Sequence, residues 1–337
     1  MNIVFNKPYL SGKEKNYLDI PVNHSSFSGD GILSRKCETF IEKTHHIKNC
    51  LLTNSCTSAL EISALLSEVN SGDEIIMPSY TFVSTANAFI LRGCKPVFVD
   101  IRKDTVNIDE NLIERAITKK TKCIVVVHYA GFSCDMDMIK RIAKKNNLIL
   151  IEDAAQAISS KYKESFLGSI GDFGTFSFHQ TKNIHCGEGG ALLINNTRYF
   201  NRSKIIREKG TNRKDFMEGK INKYEWVDLG SSYVPSELQG AFLYAQLLNL
   251  EDVIASRLNI WNNYHKDMLM KFLALCFACL TIASCANVNQ IDRGMLSKKI
   301  MQLDPHPEES VFRNEVHSFR ESAIGGNAAV GGGCGCN

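Results

Sequence analysis

Short apolar runs separated by helical spacings set the architecture. The runs CLL at 50–52, EIIMP at 74–78, KPVFV at 95–99, IVVV at 124–127, LILI at 148–151, the stretch 173–178 and ALLI at 191–194 each read as a buried strand. Between them, TSALEISALLSEV, TFVSTANAFILRG and residues 136–147 carry apolar positions at helical intervals. Strands that are apolar throughout are covered on both faces. Their alternation with helices predicts an α/β fold with a mainly parallel sheet. Such sheets bind ligands beyond the carboxyl ends of their strands.

The chain is organised around residues 148–190. The strand ending in Ile151 stops at Glu152 and Asp153, followed by Gln156. The later strand ends near Ser177 and leads through His179 to Lys182 and a Gly-rich segment, Gly187 to Gly190. If the two strands are parallel neighbours, the acid and the lysine meet at one sheet edge. A lysine can bond covalently to an aldehyde cofactor. Pyridoxal phosphate (PLP) also requires an anion beside its ring nitrogen, a role that suits Asp153. Taken singly, Lys182 reads as a surface lysine and Asp153 as an N-cap; the combined spacing favours the cofactor. A helix starting after Ser55, with Ser55 or Thr57 as cap, offers the free amides of Cys56 and Thr57 to an anion such as a phosphate. Phe82 is either core or a stacking surface for a planar ring. His128, closing the 124–127 strand, is either a ligand contact or a satisfied structural histidine. The basic residues of 199–215 read mostly as a solvated face, with some free to meet a diphosphate.

Composition narrows the classes. A net charge of +3 over 337 residues gives no case for nucleic acid. The chain lacks G-x-G-x-x-G after its first strand, which sets aside a nicotinamide-binding Rossmann domain. Seven of the twelve cysteines lie scattered in residues 1–186 and read as reduced thiols of a cytoplasmic enzyme; no metal site is expected. The other five crowd into residues 276–336.

The segments MPSYTFVSTANAF, VHYAG, IEDAAQ, FSFHQTKN and IREKGTNR resemble the DegT/DnrJ/EryC1/StrS sugar-nucleotide aminotransferases, most closely the members that aminate dTDP-4-keto-6-deoxyhexoses. The resemblance implies a PLP-dependent aminotransferase of fold type I over residues 1–267. It makes Lys182 and Asp153 catalytic. It implies cofactor contacts from Cys56, Thr57, Phe82, Asp153, Gln156, Ser177, Lys182 and Ser232. It also implies a dTDP-sugar and glutamate as substrates, a homodimer with shared sites, and a place in cell-surface polysaccharide synthesis such as that of enterobacterial common antigen. The chain departs from the family at Gly230-Ser231-Ser232-Tyr233-Val234, where an Asn and an Arg are usual, and at Cys56, where a Gly is usual.

Near Asp267 the resemblance stops, and the family's C-terminal small domain is expected to be missing. Residues 268–286 have the layout of a lipoprotein signal: a basic start, an apolar run over 272–283, and small residues before Cys285. That run predicts a helix and allows membrane contact through 269–285. Residues 287–337 resemble small DUF4266-type bacterial lipoproteins and, being Gly-rich, predict a flexible tail. The alternative to an active enzyme is therefore a non-catalytic fusion remnant with a membrane-anchored C-terminal part.

Overall fold

The computed structural model describes residues 6–284, with side chains to residue 272. The expectations for residues 287–337 lie outside the described residues. The chain divides into two units, residues 1–259 and 260–337.

The first unit is built on a seven-stranded sheet of β1 (Asn49–Thr53), β2 (Glu74–Pro78), β3 (Lys95–Val99), β4 (Thr121–Val127), β5 (Ile149–Asp153), β8 (Phe173–Ser177) and β9 (Gly190–Ile194). A small hairpin, β6 (Lys161–Tyr162) and β7 (Ser165–Phe166), interrupts the series. The spatial order is β1-β9-β8-β5-β4-β2-β3. Pairings from β8 to β3 are parallel, while β9 runs antiparallel to both β8 and β1. The mainly parallel α/β sheet read from the strand pattern is thus present, with one reversed strand. That reversal lets the loop 178–189, not a crossover helix, join β8 to β9.

Helices α1 (Glu14–Asn23), α2 (Ile32–His45), α3 (Cys56–Leu66), α4 (Val83–Ile90), α5 (Glu110–Ala116), α6 (Met136–Lys145), α7 (Phe200–Arg207), α8 (Arg213–Met217) and α9 (Glu237–Leu247) accompany the sheet. Alternate residues of each strand face opposite layers. Ile75, Met77, Val125 and Ile151 pack with Leu60, Ile62 and Phe89 of α3 and α4. Ile76, Ile124, Val126 and Leu150 pack with Met136, Ile139 and Ile142 of α6. A third cluster joins Leu52, Phe176 and Leu193 to Cys37 and Ile41 of α2 and Leu243 of α9. Because Ile151 faces α3 and α4, Asp153 two residues on faces them too, and Glu152 faces the other layer.

Helix α10 runs from Leu250 to Ser284 without a break at Asp267, and takes in the apolar run 272–283. Among the described residues, no helix is long and apolar enough to cross a membrane.

The basic stretch 199–215 is not simply a solvated face. It splits into α7 and α8, and Arg207 is buried. Its guanidinium reaches Asp30 at 2.6 Å and Glu38 at 2.7 Å. Arg202 pairs with Asp228 at 2.7 Å and Glu68 at 2.9 Å. Arg207 is spent on buried carboxylates, and Arg202 pairs nearer the surface.

Candidate active site

Parallel pairing of β5 with β8 sets Asp153 opposite Thr175 at the carboxyl edge of the sheet. Asp153 is 5% exposed. Its Oδ2 accepts from Thr85 Oγ1 at 2.7 Å and its Oδ1 from the Ala155 amide at 3.2 Å. Thr85 is fully buried in the first turn of α4. Burial pushes the Asp153 carboxyl above its ordinary value; the bonds from Thr85 and Ala155 and the nearby Lys182 charge oppose that rise only in part. A carboxylate so placed gains from a cationic partner, because desolvation penalises an unpaired charge.

Lys182 lies half-buried in the loop joining β8 to β9. The loop is closed by backbone bonds, from Phe178 N to Gly189 O at 2.8 Å, Gln180 N to Gly187 O at 2.8 Å and Cys186 N to Phe178 O at 2.9 Å. The Lys182 charge acts on both Asp153 and the Cys56 thiol. The acid and the lysine expected to meet therefore share one sheet edge.

The third component is the start of α3. Ser55, not Thr57, is its N-cap, with Oγ accepting from Ser58 N at 3.1 Å. Thr57 Oγ1 instead donates to Ser84 Oγ at 2.8 Å, tying α3 to α4. The amides of Cys56 and Thr57 have no protein acceptor among the described residues. Unpaired amides at a helix N-terminus suit an anion. Gly190 explains how β9 starts here: a Cβ on it would fall against Cys56 N and the Ser55 carbonyl group. The Cys56 side chain sits beside Asp153 and Thr175, and burial pushes its thiol far above the ordinary range.

The remaining expected residues surround this centre. Phe82 precedes α4 and is 73% exposed, so its ring is free to cover a ligand. Gln156 Oε1 accepts from Ala130 N at 2.6 Å, which leaves its amide nitrogen as the free donor. Ser177 ends β8, and its Oγ accepts from His179 N at 3.4 Å. Ser232 is exposed; its carbonyl accepts from Asn54 Nδ2 at 3.2 Å, close to the cap of α3.

His128 resolves as structural. It is fully buried, and its Nε2 lies 2.9 Å from Glu152 Oε2. Cys134 N–H donates to Nδ1 at 3.3 Å, which places the ring proton on Nε2 facing the acid. Glu152 also accepts from Gly168 N at 2.8 Å and from Ile170 N and Gly171 N at 2.6 Å. Of the two adjacent acids, Glu152 holds the chain leading into β8, while Asp153 faces the layer of α3 and α4. Thr85 was missed in the sequence. Its signal is weak: a threonine one turn after Phe82 in a helix that reads as core.

The arrangement fits PLP. A buried carboxylate short of a cation, a lysine at the same edge and free amides at α3 match its ring nitrogen, aldehyde and phosphate.

Comparison with known proteins agrees. The model of the DegT/DnrJ/EryC1/StrS aminotransferase family matches residues 9–272, and a domain of unknown function, DUF4266, matches residues 288–337. The chain belongs to the DegT/DnrJ/EryC1/StrS aminotransferase family. It is 33% identical over 263 residues to GDP-perosamine synthase of Escherichia coli O157:H7, covering 78% of this chain and 70% of that protein. Among solved structures, it matches Helicobacter pylori PseC, an aminotransferase involved in the biosynthesis of pseudoaminic acid. The TM-score is 0.69 at 30% identity, over 74% of this chain and 66% of that one. The PLP-form of Spr1654 from Streptococcus pneumoniae gives 0.73 at 26% identity, over 79% and 71%.

Proposed function

We propose that the chain is a PLP-dependent sugar aminotransferase that moves an amino group to the C4 keto carbon of a nucleotide-linked 6-deoxyhexose. In this reading the nucleotide is dTDP, the donor is glutamate and the working unit is a cytoplasmic homodimer. The observation that carries it is the placement of buried Asp153 and of Lys182 beyond the carboxyl ends of two neighbouring parallel strands, beside the open amides of α3.

The cofactor supplies an aldehyde that exchanges with the amino group and a ring that takes up electrons. Lys182 would hold it covalently and would serve as the general base and acid that takes and returns the proton at the reacting carbon of each substrate. Asp153 keeps a proton on the ring nitrogen; Thr85 fixes the carboxylate for that task. Gln156, whose amide nitrogen is free to donate, would hold the ring oxygen. Phe82 covers the ring face and excludes water. The Cys56 and Thr57 amides, with Ser177, hold the phosphate, and Ser232 reaches the phosphate in the partner protomer.

The decisive experiment is spectroscopic. Purified full-length protein supplied with PLP is expected to show a visible absorption band that borohydride removes, with the label on Lys182. A colourless protein that takes up no cofactor would instead support the non-catalytic fusion. Substrate choice is then read by offering glutamate with dTDP- and GDP-linked 4-keto sugars and following the aminated product.

A further inference from the structure

The carboxyl edge carries two tyrosines that the proposed cofactor contacts do not use. Tyr80 follows β2 and Tyr129 follows β4. Their hydroxyls lie 3.2 Å apart, and their rings meet edge to face with centroids 5.0 Å apart. Tyr80 remains 46% exposed, so the pair stands open to solvent beside the site.

Both tyrosines are anchored to cofactor-contact residues. The turn carrying Tyr129 is held by the buried Asn107, whose Oδ1 accepts from Tyr129 N at 3.0 Å and whose Nδ2 donates to Phe132 O at 2.9 Å. Gln156 grips the same turn at Ala130 N. Ala130 has φ 52° and Gly131 φ 84°, so the turn folds back through the left-handed region and its shape depends on these clamps. On the other side, Thr81 Oγ1 donates to Thr85 Oγ1 at 2.8 Å, and Thr85 donates to Asp153. Tyr80 is the residue before Thr81 and the second before Phe82. The pair therefore stands between the Gln156 side and the Phe82 side of the site.

In a tyrosine pair, one hydroxyl donates to the other, and the accepting one keeps its own proton for a third group. The result is a fixed donor at the edge of an aromatic surface. A pyranose ring is the complement of such a surface, with C–H groups for the rings and hydroxyl or keto oxygens for the donor.

We infer that the Tyr80–Tyr129 pair binds the hexose ring of the nucleotide-sugar substrate and sets which sugar is accepted. The inference rests on the aminotransferase reading of the site. The pair acts in binding and orientation, leaving proton transfer to Lys182.

The test uses the full-length chain loaded with PLP and titrated calorimetrically with dTDP, dTDP-glucose, GDP and GDP-mannose. The wild type is expected to bind the sugar-bearing form more tightly than the bare nucleotide in at least one series. Tyr80→Phe and Tyr129→Phe keep the rings and remove the hydroxyls. Each is expected to shrink that gain about three- to tenfold, the weight of one neutral hydrogen bond, with bare-nucleotide affinity and the visible band unchanged. An unchanged gain in both variants, or no gain in either series for the wild type, overturns the inference. Weakening of bare-nucleotide binding, or of the glutamate half-reaction alone, also overturns it by moving the pair's role away from the sugar. The visible band of the wild type separates the two levels. Without it the aminotransferase reading fails; with it, and an unaltered gain, only the tyrosine assignment fails.

Discussion

Thr85 Oγ1 donates a 2.7 Å hydrogen bond to Asp153 Oδ2, and both residues are buried. One bond thereby fixes the orientation of the acid proposed to face the cofactor ring nitrogen. A hydrogen bond to a buried charge contributes about 1.5–3 kcal/mol. Thr85→Val is expected to weaken cofactor binding by roughly the corresponding tenfold to hundredfold, while Thr85→Ser stays near wild type. Titration of cofactor-free protein with PLP decides; equal affinity for Val and Thr would remove Thr85 from this role.

Asp153→Asn should separate function from stability. An amide cannot hold the ring nitrogen protonated, and a loss of about 2.7 kcal/mol of transition-state stabilisation lowers turnover about 100-fold. In the cofactor-free protein the sign reverses. Burial holds the Asp153 carboxyl above its ordinary value. A carboxyl raised in the folded state contributes stability at low pH that is lost as pH rises through the folded value. Cofactor-free Asp153→Asn is therefore expected to melt higher than wild type at neutral pH, with the difference closing as pH falls into the carboxyl range. Parallel melting curves at all pH values would contradict the burial argument.

Lys182→Ala should express and fold normally, because its half-buried side chain lies in a loop closed by backbone bonds. The borohydride-sensitive band and transamination should vanish. A band that persists places the covalent link on another lysine.

Gly190→Ala tests the cradle at α3. Its Cβ would press on backbone atoms of Ser55 and Cys56, which cannot rotate away as a side chain can. Displacing those amides by even a few tenths of an ångström should raise the phosphate-dependent part of the PLP dissociation constant. Pyridoxal without phosphate should bind as before. Equal losses for both ligands would mean general damage to the sheet edge.

Arg207→Met probes the internal ion cluster. Arg207 is 1% exposed and bridges Asp30 and Glu38. Burial pushes Glu38 upward even with the arginine in place. Removing one partner of a buried ion pair strands the other, at about 3–5 kcal/mol. Urea unfolding should show a loss of that size. A loss below about 1 kcal/mol, the level of an exposed pair, would mean that water reaches the cluster.

Much of this protein was determined by sequence alone. Apolar runs such as 124–127 and 148–151 specify strands buried on two faces, because they are too short for a helix and rich in β-branched Val and Ile. Asp153 and Lys182 stand out because a strand end and the loop after a later strand are where a parallel sheet offers side chains to a ligand. What local pattern could not decide was partnership across the fold. His128 reads alike as ligand or structural residue until β4 and β5 lie side by side and Glu152 meets its Nε2. Arg207 reads as one more surface cation until α7 packs it against Asp30 and Glu38, far away in sequence. The reversed direction of β9, the Thr85 bond to Asp153 and the Tyr80–Tyr129 pair likewise exist only through long-range packing. Periodicity reports which face of an element avoids water; which polar group waits on that face depends on the tertiary structure.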